Sequence, residues 1–137
     1  MKFIGFNFTK INVEKFSESF KEVKINTHID ISSIEKVNSD LFGNNEETLV
    51  VKFSYLVEYS NNHAKIDLSG SVLVSMDKLK SKEILKKWEE KKIQDDFRIP
   101  LFNIIFRKSN IKALELEDEM NLPLHIPLPR LEQQPDT

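Results

Sequence analysis

Two strictly alternating segments, residues 49–59 and 64–76, constrain this chain more than any other feature. Leu49, Val51, Phe53, Tyr55, Val57 and Tyr59 share one parity in the first. Ala64, Ile66, Leu68, Val72, Val74 and Met76 share the other parity in the second. A period of two sends successive side chains to opposite faces of a pleated strand. The polar stretch Ser60-Asn61-Asn62-His63 between them supplies the turn, so the two segments read as a hairpin with one continuous apolar face.

Two further strands precede the hairpin. Residues 3–13 place Ile4, Phe6 and Phe8 on one parity and Ile11 and Val13 on the other, so the switch near Thr9 and Lys10 predicts a bulge or bend. Val23, Ile25, Thr27, Ile29 and Ile31 alternate with Lys24, Asn26, His28 and Asp30, the pattern of a half-exposed strand. Phe16, Ser17 and Phe20 lie in the connection and suit a short helical turn, and residues 38–47 read as a polar loop. Short connections bring sequential strands together, so the expectation is a four-stranded antiparallel meander.

Helical signals begin after Met76. Ser81 is read as an N-cap, with Ile84, Leu85 and Trp88 as the apolar stripe up to about Lys91. Asp95 and Asp96, followed by Pro100 in the first turn, open a second helix that runs to roughly Met120. Leu101, Phe102, Ile104, Ile105 and Phe106 cover most of its circumference, which predicts burial on more than one side. The stretch 122–131 is punctuated by Pro123, Pro127 and Pro129, so it must run extended with its apolar side chains docked on something. The fold class is therefore α+β: an antiparallel sheet, then two helices, then an extended Pro-rich segment. One domain over 1–131 and a disordered end at 132–137 complete the expectation.

Composition narrows the functional classes. With 137 residues, 39% apolar and 31% charged, the chain suits a globular protein. A formal net charge of -2, with both signs interspersed, supplies no reason to expect nucleic acid or an anionic membrane as partner. The absence of cysteine removes disulfides, thiol nucleophiles and thiolate metal sites. No secretory core or spanning apolar run is present, so a cytoplasmic protein is expected.

No reaction centre emerges. His28, His63 and His125 have no metal-ligand spacing and read as solvated or locally satisfied. Glu46-Glu47, Asp95-Asp96 and the acidic run 115–119 read as solvated surface, because paired carboxylates do acid/base work only when burial separates their pKa values. No nucleophile elbow, phosphate loop or dinucleotide fingerprint exists, and no cofactor is called for. The lysine-rich run 78–92 is interleaved with Glu83, Glu89 and Glu90 and reads as a solvent-facing helix.

Apolar surplus is the more informative signal. Val50, Leu56 and Leu73 occupy the hairpin's other parity, the first strand adds Phe3 opposite Phe6 and Phe8, and the tail adds Leu124, Ile126 and Leu128. These side chains need cover from the long helix, the tail, another subunit or a ligand.

The order of these elements resembles the SecB family of export chaperones, above all its divergent SecB-like members. The residues that carry the resemblance are the hairpin, the entry Phe97-Arg98-Ile99-Pro100-Leu101 into the last helix, and the run Asn121-Leu122-Pro123-Leu124-His125-Ile126-Pro127-Leu128-Pro129 after it. The resemblance implies an ATP-independent holdase that binds unfolded polypeptides, assembled as a homotetramer from a dimer of dimers. It places clients on Phe3, Phe6, Phe8, Phe42, Val50, Leu56, Leu124, Ile126 and Leu128, and the oligomer interface on Ile84, Leu85 and Trp88. The family's acidic, glutamine-rich tail is reduced here to residues 132–137, which weakens the case for docking to the SecA motor and leaves guarding of an antitoxin equally open. A small-molecule-binding oligomer and a single-partner interaction module are the alternatives. An enzyme ranks last, and a carboxylate sharing a cleft with a histidine would revive it.

Overall fold

A computed structural model describes residues 1–37, 46–131 and 133. Its elements run β1 (Lys2–Lys15), β2 (Ile25–Val37), β3 (Glu46–Tyr59), a single 3-10 turn (Ser60–Asn62), β4 (Ala64–Asp77), α1 (Lys78–Glu89) and α2 (Asp95–Glu119). The hairpin forms as its alternation requires, with Leu49 paired to Val74 and Tyr59 to Ala64. Asn61 and Asn62 take left-handed backbone at its tip, a conformation that asparagine tolerates better than most residues.

The four strands make one antiparallel sheet, but its order is β1-β4-β3-β2. Consecutive pairing holds for β2, β3 and β4; the expected full meander does not, because β1 lies at the far edge beside β4. The connection 16–24 makes this possible by crossing the hairpin tip. It takes no helical turn there. Instead the Phe16 and Ser17 amides donate to the His63 carbonyl, and Ser60 and Lys24 bond one another at the far side. The anticipated bulge in β1 falls between Phe8 and Lys10, and a second lies between Phe3 and Gly5. In β2 a bulge after Ile31 lets the strand run on to Val37, beyond its readable alternation.

These bulges decide which side chains face inward. Phe3, Phe6, Phe8, Ile11 and Val13 lie opposite Val74, Val72, Gly70, Leu68 and Ile66, so all of them belong to the sheet's inner face. Gly70 also faces Phe53 across the other pairing. The missing side chain there makes room for an aromatic cluster, with Phe6 5.3 Å and Phe8 6.4 Å from Phe53.

Both helices cover this inner face. Asp77, not Ser81, caps α1, its carboxylate accepting from the Lys80 amide. Ser81 is buried within the first turn, where its hydroxyl and the Lys36 ammonium hold the Glu47 carboxyl below the usual carboxylate range. The second helix starts at Asp95, one turn earlier than Pro100 suggests, so the proline falls in the second turn. It spans about 37 Å. Phe97, Leu101, Ile105, Ser109, Ala113 and Leu116 form its buried stripe, while Ile99 and Ile111 are more than half exposed. Phe97, Leu101 and Ile105 pack with Leu49, Val51, Phe53, Val72 and Val74; Ala113 and Leu116 pack with Tyr55, Val57, Tyr59 and Ile66.

The cluster around Gly70 yields a stability test. A methyl group there would approach the Asn7 carbonyl oxygen to 2.3 Å and the Phe53 ring to 2.9 Å. Gly70→Ala is expected to cost about 2 kcal/mol in chemical denaturation, since overpacking displaces backbone as well as a ring.

Candidate functional site

The proline-rich segment after α2 docks on its own chain. The Asn121 backbone is left-handed, and the Leu122 amide donates to the Glu117 carbonyl, turning the chain back at the helix end. Leu122 is buried, and the Pro123 carbonyl accepts a hydrogen bond from the Tyr59 hydroxyl. The anchor is His125. Its Nδ1 lies 2.6 Å from a Glu117 oxygen, its backbone amide donates to the other, and its Nε2 lies 3.1 Å from both Asn110 and the Tyr55 hydroxyl. The Glu117 and His125 side chains are 0% and 3% exposed.

Glu117 thus departs from the reading of the acidic run as solvated surface. Burial is tolerated because the histidine ring and the His125 amide occupy its oxygens. A carboxylate and a histidine do come together, but closed beneath packed side chains, where the pair clamps the tail. Among the described residues, no group of three or more His, Asp or Glu side chains is placed to hold a metal ion.

The client-binding candidates do not gather in one place. Phe3, Phe6 and Phe8 are half-buried on the inner face against the protomer's own core. Val50 and Leu56 lie on the opposite face: Val50 pairs with Leu73, and Leu56 stands between His28 and Asp67. Elsewhere that face is polar, carrying Asn7, Lys10, Lys52, Ser54, Ser69 and Ser71, so the apolar surplus is not concentrated there. Leu124, Ile126 and Leu128 sit in the docked tail, with Leu128 55% exposed. Phe42 lies outside the described residues, as does most of 132–137. Of the interface candidates, Ile84 is taken into the protomer core, and Leu85 and Trp88 pack partly buried against it.

The surplus appears instead beside the helices. Ile29, Ile31, Trp88, Ile93 and Phe102, with Asp30 and Lys91, line an open trough of about 360 Å³ between β2 and the helical layer. Sequence reading assigned Trp88 to assembly and Phe102 to a crowded helix circumference, because nothing local says that β2 will lie beside them. The Lys91 ammonium sits 4.5 Å from the centre of the Trp88 ring. Its position follows from how α1 ends. The Lys91 amide donates to the Trp88 carbonyl and the Lys92 amide to the Lys87 carbonyl, a Schellman closure. Lys91 therefore adopts left-handed backbone (φ 59°), which costs a residue with a side chain about 1 kcal/mol against glycine.

Two predictions come from the clamp. His125→Ala strands a buried carboxylate and is expected to cost about 3–5 kcal/mol in urea denaturation, with much of the loss recovered by Glu117→Leu in the same chain. Burial, and secondarily the Glu117 charge, pushes the Tyr55 phenol up to about 12 and raises Tyr59 as well. An unfolded tyrosine ionises near pH 10, so the phenols contribute stability that is complete below about pH 10 and lost as pH climbs through about 12. Absorbance at about 295 nm is expected to show no phenolate before unfolding begins, since the chain has only these two tyrosines.

No protein-family model matches the chain, and no curated protein matches its sequence. Its architecture is similar to that of the Mycobacterium tuberculosis Rv1957 SecB-like chaperone, solved in complex with a ChAD peptide from the Rv1956 HigA1 antitoxin. The two share 12% sequence identity with a TM-score of 0.60, over 97% of this chain and 91% of that one. The chain has the SecB-like fold.

Proposed function

We propose that this protein is an ATP-independent chaperone that holds extended, non-native polypeptide against its exposed apolar surface. The observation that carries the reading is the trough beside Trp88, an open apolar channel flanked by an edge strand on a SecB-like fold. An extended chain contributes many small apolar contacts there at about 25 cal/mol per Å² buried, with little dependence on sequence. The reading is non-enzymatic: the buried Glu117–His125 pair serves the tail. Assembly as a dimer of dimers through surface outside the trough would multiply the troughs and supply avidity without nucleotide. Cytoplasmic residence fits the same reading, and among the described residues no helix is long and apolar enough to cross a membrane.

A narrower version has one dedicated client. The neighbour's complex with an antitoxin peptide favours this version, in which the same surface guards a single labile partner. The two versions differ in how many partners co-purify.

The test is suppression of aggregation of a reduced, unfolding model protein at stoichiometric ratio without ATP. Suppression is expected, and Phe102→Ala, half-buried at the trough, should weaken client affinity about tenfold with the circular dichroism spectrum unchanged. Unhindered aggregation, together with no effect of the substitution on binding of any polypeptide, would contradict the proposal.

A further inference from the structure

Charge is unevenly distributed over this protein. Between Lys78 and Lys112 the chain has eleven lysines and arginines against five carboxylates, although the whole chain carries -2. The stretch from α1 to the middle of α2 is therefore basic, while the last turns of α2 carry Glu115, Glu117, Asp118 and Glu119. Several carboxylates of the basic stretch are already engaged: Asp96 with Lys80, Asp95 with Arg98, and Glu90 with Lys92. Lys82, Lys86, Lys87 and Lys91 make no ion pair among the described residues. Lys91 is the basic side chain that lines the trough from the helical side.

Lys91 is the one placed at the site. It occupies the left-handed position of the helix closure, where glycine is the unstrained choice, and its ammonium lies across the trough's tryptophan. On backbone conformation alone, glycine is the less strained residue there. A strained backbone that positions a cation over an aromatic wall calls for a reason beyond stability, and an anionic group on a bound chain supplies one. Asp30, the only carboxylate among the lining residues, comes from β2, on the strand side.

We infer that the trough selects extended segments whose apolar residues are flanked by acidic ones, with the acidic flank paired to Lys91 and the lysines of α1. This inference rests on the polypeptide-binding reading and adds the class of client. The lysines act over the exposed surface, so their effect is selectivity that salt suppresses, while apolar burial carries the affinity.

Trp88 is the only tryptophan, and it lines the trough, so its fluorescence reports occupancy directly. The probes are two extended peptides with one shared Leu/Phe core, flanked by glutamates in one and by lysines in the other. The glutamate peptide is expected to bind about fivefold tighter at low salt, the worth of a few exposed ion pairs. The ratio should collapse at about 0.5 M NaCl. Lys91→Gln should bring it to about twofold without weakening the lysine peptide. Lys91→Gly should do the same while leaving the thermal midpoint unchanged or raised, which separates the charge effect from folding. Equal binding of the two peptides would overturn the charge selection and leave polypeptide binding intact. A preference that survives both Lys91 variants would overturn the role of Lys91. Binding of neither peptide would overturn the polypeptide-binding reading along with it.

Discussion

Everything in this structure is built on the inner face of the β3–β4 hairpin. From Leu49 to Tyr59 and from Ala64 to Met76, every inward position is buried. That strip gives β1 and β2 an edge each, gives α1 and α2 a floor, and gives the tail two tyrosines to bond. Burying so many large side chains supplies the dominant favourable free energy. The hairpin also closes locally, before any long-range pairing is required. The other elements can be understood as cover, and the functional question becomes what they leave uncovered.

They cover the middle better than the flanks. The buried stripe of α2 is a single row, so one helix cannot shield four strands. On the β1 side Phe6 and Phe8 close the gap by leaning on Phe53 into space left by Gly70. At the end of the sheet the tail closes it, held by a carboxylate–imidazole pair whose burial is tolerated only because both partners are satisfied. On the β2 side nothing among the described residues closes it, and the trough beside Trp88 remains. The open flank is the part of the molecule with an unfilled role.

How much of this was legible in the sequence depended on range. The hairpin, the bulge after Phe8 and the two helices are written in local periodicity, and the α+β class with its SecB-like order followed from them. The place of β1 beside β4 was not, since strand order depends on where the connection 16–24 crosses and on the His63 carbonyl that receives it. Glu117 and His125 looked like solvated groups because the hydrogen-bond partner that each finds is visible only in three dimensions. The site candidates fared similarly. The resemblance groups Val50 and Leu56 with the phenylalanines of β1, but the sheet register puts them on opposite faces. Trp88, Phe102 and Ile29 come together only after helices and sheet have packed.

The most direct test is to map an unfolded polypeptide onto the protein by amide and methyl chemical-shift perturbation. The account predicts perturbations centred on Ile29, Ile31, Trp88, Ile93 and Phe102, with the Glu117–His125 clamp and the polar outer face of the sheet left quiet. Perturbations confined to that outer face, or none at saturating polypeptide, would contradict it.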